Sequence, residues 1–419
     1  MVGGMIPEKM FQQILILGDA WEVFATDYDE TRRKVFIRVR ETPRIWPAAH
    51  CPKCNAQSVA GYDHVPERQW RHLNVCQLES AIVCALPRGR CRACQAVFQV
   101  KPPWEGRSKH FTQEFEGFAL LLAREMPVSK AGEILGETDQ RLWRMLFAHI
   151  QAAHAQLSME QVVWIGADEM NCKKGHHYLT VFVDLLAKRV LFATEGKDAT
   201  TWEAFATALL AHNGHPKAVT QVAIDMSRAY RKGAAENFGN ATVSFDKFHV
   251  VGQVVEAVDE VRRAERTQPA RGKLLEKAQW LFRKNPENWT SKEGSRWEEL
   301  ASENLTTGLA YQMRLVFQDI YLVGSAKLAR QKFQNWCDWV EQAAAPDHLL
   351  EPMRKRARMV REHLEGILGH WKTGLTTAYL EGLNSLFSAT KRKARGYRST
   401  EHMIAMLYFV AGKLSIPCY

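Results

Sequence analysis

Two short cysteine pairs, Cys51-Pro-Lys-Cys54 and Cys91-Arg-Ala-Cys94, constrain this chain more than any other feature. Each pair sets two thiols on a tight knuckle, able to take two corners of a tetrahedral zinc ion. Filling all four corners requires segments separated by 36 residues (55–90) to meet. The strand-like run Ala81 to Leu86 in between offers a hairpin that brings them together. The chain has nine cysteines, an odd number, and its first residues lack the charged start and apolar stretch of an export signal. The expectation is a cytoplasmic protein with reduced thiols, in which paired knuckles read as metal ligands rather than disulfides. Redox use of the pairs is the competing reading. Cys76 and Cys84 read as small buried residues, while His64 and His72 are possible substitutes for a cysteine ligand. One zinc held by Cys51, Cys54, Cys91 and Cys94 leaves no open coordination position, so its role is structural.

A length of 419 residues predicts about two to four domains. With 56 Lys plus Arg against 46 Asp plus Glu, the net charge is +10 and the pI near 9.1. That excess favours a polyanionic partner, nucleic acid foremost. No apolar run is long enough to span a bilayer, which excludes an integral helical membrane protein.

The N-terminal 45 residues carry a short apolar run, Ile14 to Leu17. After it come alternating stretches, Trp21 to Thr26 and Lys34 to Arg40, around a polar turn, which predicts a β-hairpin. Beyond the cysteine region, Phe111 to Glu125 and Val128 to Leu135 read as helices. Gly136 then breaks the pattern, and Thr138 caps a third helix running to about His154. This is a helix-turn-helix outline, shared with any three-helix bundle, in which Gln140, Arg141 and Arg144 would face a major groove. Arg88, Arg90 and Arg92 recur at period two beside the second knuckle, so an extended segment would show them on one face, toward phosphates or simply toward water.

From Val162 the pattern changes. Val162 to Ala167, Tyr178 to Val183, Val190 to Ala193 and Val219 to Ile224 read as strands, with a helix over Thr200 to Ala211, so a mixed α/β sheet is predicted. From Val250 to about His370 the pattern is helical, and the last block opens with another long helix.

Asp168 and Asp225 each end an apolar strand of that sheet. One such aspartate usually caps the next turn. Two on one sheet can stand only about 5 Å apart if their strands are neighbours. They would then repel one another and favour a divalent cation between them. Phosphoryl transfer on DNA uses such a pair of cations with a third carboxylate. Glu381 is the candidate, on a helix whose same face continues through Asn384, Ser385, Ser388, Lys391, Arg392 and Arg395. Leu380, Leu383, Leu386 and Phe387 form its burying face. An exposed helical glutamate is the competing reading for Glu381.

The chain closely resembles the ISL3 family of insertion-sequence transposases. The segments that carry the resemblance are Ile165-Gly-Ala-Asp168-Glu169, Lys174-Gly-His-His-Tyr178-Leu-Thr-Val181, Ala223-Ile-Asp225-Met226, Phe245-Asp-Lys-Phe-His249-Val250, Leu380-Glu381-Gly-Leu-Asn384 and Lys391-Arg-Lys-Ala-Arg395-Gly-Tyr397-Arg398. The resemblance implies a ribonuclease H-like core with an Asp-Asp-Glu triad, matched by Asp168, Asp225 and Glu381, interrupted by a helical insertion. It implies two Mg2+ or Mn2+ ions on that triad, double-stranded DNA as substrate and a dimer or larger assembly on DNA. Asp246, His249 and Asn384 become supporting residues, with core packing as the alternative for His249.

The domain plan that follows is an N-terminal hairpin region (1–45), a zinc-binding module (46–105) and a helix-turn-helix-like domain (106–158). The catalytic core (159–250 and 371–419) is then split by the helical insertion (251–370). The expected function is cleavage and strand transfer at terminal inverted repeats. The rival is a catalytically inactive, zinc-containing DNA-binding regulator derived from a transposase.

Overall fold

The computed structural model describes residues 7–173, 177–269, 271–373, 378–394 and 396–416, apart from the side chains of residues 7, 172, 173, 177, 373, 378–381 and 384. The chain divides into two units, one of Met1–Gln156, Lys391–Arg398 and Leu414–Tyr419, the other of Leu157–Thr390 and Ser399–Lys413.

In the first unit, α1 (Pro7–Ile14) precedes β1 (Trp21–Asp29) and β2 (Lys34–Glu41), the predicted hairpin. After α2 (Ile45–Ala48) come β3 (Val59–His64), β4 (Arg68–Val75), β5 (Leu78–Cys84), β6 (Pro87–Cys91) and β7 (Val97–Gln99). The strands form two sheets, β1-β2-β5-β4 and β3-β6-β7, so the hairpin shares a sheet with residues lying between the cysteine knuckles. Trp21, Trp70 and Trp104 pack edge to face over the first sheet, with ring centroids 4.9 and 5.8 Å apart. Such contacts add to the burial of three large apolar surfaces.

Three helices follow: α3 (Gln113–Glu125), α4 (Val128–Leu135) and α5 (Asp139–Ala155). Thr112 and Thr138 cap α3 and α5 through their hydroxyls. Gly136 ends α4 at φ +69, a left-handed conformation that glycine adopts without penalty. Arg71 on β4 is buried and donates to the Leu135 carbonyl at 3.1 Å, tying the end of α4 to the sheet.

The second unit begins with β8 (Trp164–Lys173), β9 (His177–Asp184) and β10 (Arg189–Glu195), then α6 (Thr200–Ala211), β11 (Gln221–Ile224), α7 (Arg228–Asn237) and β12 (Thr242–Phe245). The sheet order is β10-β9-β8-β11-β12, with β8, β11 and β12 parallel and β9 antiparallel to both its neighbours. The fold is therefore mixed α/β. β11 is apolar on both faces (Val222, Ala223, Ile224), as a strand covered on both sides must be. The fifth strand, β12, is short and carries Thr242 and Ser244, so no apolar run marks it in the sequence.

A long helical stretch follows: α8 (Lys247–Glu265), α9 (Ser291–Ala301), α10 (Thr306–Asp319), α11 (Ala326–Ala344), α12 (Glu351–Glu362) and α13 (Leu364–Thr373). Its buried side chains belong to the same apolar cluster as the sheet, running from Met159 to Leu368. Helix α13 lies close on β12: a Cβ at Gly369 would sit 2.6 Å from Ser244 Cβ and 2.8 Å from Ser244 Cα. Helices α14 (Ala378–Lys393) and α15 (Thr400–Ala411) follow, and the Tyr408 hydroxyl oxygen on α15 accepts from Ala193 N of β10 at 3.1 Å.

Three expectations need correction. Asp168 does not end its strand, because β8 continues to Lys173 to pair with β9. Leu386 is 42% exposed, so the burying face of α14 is carried by Leu383 and Phe387 among the described side chains. Cys76 is exposed in a turn at φ +48, not buried in a strand.

Candidate functional site

The two cysteine knuckles are built alike. Cys51 N donates to Ala56 O and Cys91 N to Ala96 O, both at 3.0 Å, while Asn55 and Gln95 close the turns at φ +58 and +59. Pairing of Val59 with Cys91 across β3 and β6 brings the knuckles together. The sulfurs of Cys51 and Cys94 lie 3.6 Å apart, as do those of Cys54 and Cys91, and all four lie within 4.8 Å of one another. Tetrahedral zinc with bonds of about 2.3 Å needs sulfurs about 3.8 Å apart, so the set fits the ion. Amides of Cys94 and Ala93 lower the Cys91 thiol; burial pushes Cys51 up, but the amides of Cys54 and Lys53 bring it down to about 7. The Ala56 amide lowers Cys54, but hydrogen bonds to the neighbouring thiols and burial push Cys54 up to about 12, so each knuckle has one sulfur, Cys51 or Cys91, poised as a thiolate. His64 bonds Glu41 instead, His72 bonds Thr112, and Cys84 is buried, so the four knuckle cysteines form the cluster.

Around this ribbon, Arg88 and Arg90 share a face of β6, both over the Tyr62 ring, and Arg88 pairs with Asp63. Arg92 lies past the end of β6 and is exposed. On α5, Gln140 and Arg144 are exposed, whereas Arg141 is held by Glu137 at 2.6 Å and stacks over Phe111.

In the second unit, β8 and β11 pair in parallel with Ala223 opposite Gly166. Continuing that register sets Asp225 beside Asp168. Parallel pairing of Ile224 with Phe245 likewise sets Asp246 next in line. Asp168 and Asp225 are half-buried; Asp246 is buried and caps α8 through Phe248 N at 2.9 Å. Asp168 Oδ1 accepts from Glu169 N at 2.7 Å, and Asp225 Oδ1 from Ser227 N at 2.9 Å.

His249, one turn into α8, lies 3.1 Å from Asp246 Oδ2 through Nδ1. That hydrogen bond lifts the imidazole to about 9 against burial, and the charges of Asp246, Asp168 and Asp225 add to the rise. The ring is therefore cationic at neutral pH. Burial holds the Glu169 carboxyl above its usual range; Lys197, 4.0 Å away, opposes this, while Asp225 and Asp168 reinforce it. Burial also raises Tyr230, whose hydroxyl shares a 2.9 Å hydrogen bond with Thr180 and feels Asp225, Glu169 and Asp168. Asp168 inside β8, with Asp225 and Asp246 just past β11 and β12, thus form an acidic edge bordered by His249 and Lys197. Their oxygen donors suit a hard divalent cation. Lys197 and Tyr230 carry no motif in the sequence; only the tertiary fold brings them here.

Glu381 lies on α14, but its side chain and that of Asn384 are outside the described residues, as is Arg395. Lys391 and Arg392 end α14, with Arg392 exposed. Among the described residues the cysteine cluster is the one group of three or more ligand side chains with donor atoms within 4.8 Å. No helix among them is long and apolar enough to cross a membrane.

Comparison with known proteins agrees with this geometry. The ISL3 profile described as "Transposase" matches residues 165–407, from the start of β8 into α15. A second profile, "zinc-finger of transposase IS204/IS1001/IS1096/IS1165", matches residues 47–94 and so spans both knuckles. The transposase for insertion sequence element IS1001 of Bordetella parapertussis is 25% identical over 382 residues, covering 89% of this chain and 91% of the relative. The transposase for element IS1557 of Mycobacterium tuberculosis is 25% identical over 404 residues, covering 89% and 87%. Taken together, the zinc ribbon, the acidic sheet edge and the matched span from 165 to 407 show that the chain belongs to the ISL3 family of insertion-sequence transposases.

Proposed function

We propose that this protein is a DDE transposase that binds the terminal inverted repeats of its insertion sequence, cleaves there and joins the freed ends to target DNA. Asp168, Asp225 and Glu381 would hold two divalent cations, Mg2+ or Mn2+. The sheet order β10-β9-β8-β11-β12, with one antiparallel member, supports a ribonuclease H-like core. The observation that carries the reading is the parallel register of β8 and β11, which directs two aspartates to one edge.

Bound at that edge, the cations supply the charge that activates an attacking oxygen and stabilises a leaving one. The chain's own part is to concentrate negative charge where β8, β11 and β12 lie side by side and balance it with the His249 imidazolium and Lys197. Asp246 fixes the His249 ring through Nδ1. A helix bearing Glu381 completes the ligand set from a part of the chain 156 residues beyond Asp225. Hydrolysis at an element end frees a 3′-hydroxyl, which then attacks a phosphodiester of the target, forming the new P–O bond as the bond to the target's own 3′-oxygen breaks and that oxygen leaves as a hydroxyl. Basic groups on the ribbon, on α5 and at the end of α14 (Arg88, Arg90, Arg92, Arg144, Lys391, Arg392) would follow the DNA backbone, and joining two ends calls for at least a dimer.

The test is transfer of a labelled 3′-hydroxyl end into a plasmid. The wild type should join it in Mg2+, and Asp225→Ala should lose joining by about 10³-fold or more while still binding ends. End binding without any joining by the wild type would leave an inactive regulator.

A further inference from the structure

In the first unit, the loop 101–110 and helices α3 and α5 enclose a cavity of about 530 Å3, lined in part by Lys101, Arg107, Lys109, Gln113, Glu116 and His149. Its floor is a buried hydrogen-bonded pair, with His149 Nε2 2.7 Å from Glu116 Oε2 and both side chains under a tenth exposed. Glu116 also accepts from the amides of Arg107 at 2.8 Å and Ser108 at 2.9 Å, and from the Ser108 hydroxyl. Burial pushes the Glu116 carboxyl up, but His149 and Ser108 outweigh it and leave it below the usual carboxylate range.

A buried carboxylate recovers little beyond its desolvation cost from the hydrogen bonds it makes, so stability alone does not account for the pair. Its effect on the loop is specific. Gly106 leaves the space that the carboxylate fills, since a Cβ there would sit 2.4 Å from Glu116 Cδ. Gly106 N donates to Phe111 O at 2.9 Å, and Arg68 to the Lys109 carbonyl at 3.0 Å. The backbone bearing Arg107 and Lys109 is therefore held at several points.

The charges left over are positive. The Glu116 carboxylate is taken up by His149, Ser108 and the Arg107 amide, and Glu105 by Arg68 at 3.3 Å and the Trp70 indole at 3.1 Å. Lys101, Arg107 and Lys109 are exposed, and among the described residues none forms an ion pair, whereas Arg38, Arg68, Arg88 and Arg141 of this unit do. We propose that this cavity is a clamp for the sugar-phosphate backbone of duplex DNA. Lys101, Arg107 and Lys109 contact its phosphates, and the Glu116–His149 pair positions the loop. Arg107 can grip a phosphate bidentately, and the lysines act as point charges. The inference rests on the DNA-processing reading above and adds a binding site to it.

The experiment uses full-length, zinc-loaded protein and measures duplex binding against salt. Three phosphate contacts contribute about 2.7 to the salt slope. The variant Lys101→Ala/Arg107→Ala/Lys109→Ala should flatten the slope by about that amount and weaken binding about 150-fold at physiological salt. Lys101→Arg/Lys109→Arg should stay near wild type. Zinc content and the unfolding midpoint should not change, because all three side chains are exposed. If the wild type binds duplex and the triple variant matches it in slope and affinity, the clamp is overturned while the DNA reading stands. If the wild type binds no duplex, both fall. A cavity built for a small phosphate would raise the wild-type unfolding midpoint in pyrophosphate without any effect of the variant on duplex binding, and that outcome also overturns the clamp.

Discussion

Gly166 of β8 and Ala223 of β11 face each other in parallel register, and two residues further along each strand delivers an aspartate. Because the strands run the same way, Asp168 inside β8 and Asp225 just past β11 arrive side by side. An antiparallel pairing would send them to opposite edges. The third parallel strand brings Asp246 to the same edge, where it caps α8 and holds His249. Backbone pairing thereby sets the spacing of the charges.

His249 should titrate near 9 in chelator. Its folded value lies above the ordinary 6.5, so the contribution it makes to stability is complete below about 6.5 and lost as pH rises through about 9. His249→Gln should remove that alkaline loss. Unfolding midpoints between neutral and alkaline pH check this, and identical pH profiles for the two proteins contradict it.

Cys51→Ser with Cys54→Ser should release one zinc per chain. Each knuckle supplies half the ligand set, and two thiolates cannot hold a structural ion. Metal analysis reads the result, with lost end binding expected alongside. Full zinc retention would remove the knuckles from the ligand set.

Gly369→Ala should lower stability by about 1–3 kcal/mol, because its methyl would press on Ser244 in β12. The displaced strand leads directly into Asp246, so cleavage should fall as well. An unchanged unfolding midpoint would show that α13 can move aside at no cost.

Lys391→Ala with Arg392→Ala should reduce the salt slope of DNA binding by about 1–2. Titration of binding against salt checks it, and an unaltered slope excludes the end of α14 from the interface.

Much of this architecture was legible in the sequence where the chemistry is local. The knuckles declared themselves by spacing, α4 and α6 by apolar periodicity and breaker residues, and the hairpin by alternation around a polar turn. Asp168 and Asp225 stood out because apolar runs precede them. Less local features were harder to read. β12 is four residues long and partly polar. The extension of β8 past Asp168 depends on its pairing with β9. Lys197 and Tyr230 reach the acidic edge only through tertiary packing, and the Glu116–His149 pair joins two helices 33 residues apart. None of these leaves a periodic trace along the chain.

The most direct test of the central claim is anomalous scattering from crystals of the protein soaked in Mn2+. The account predicts manganese bridging Asp168 and Asp225, with a Glu381 carboxylate oxygen within about 2.5 Å of an ion. Manganese bound elsewhere, or at the aspartates with Glu381 remote in both free and DNA-bound crystals, would contradict it.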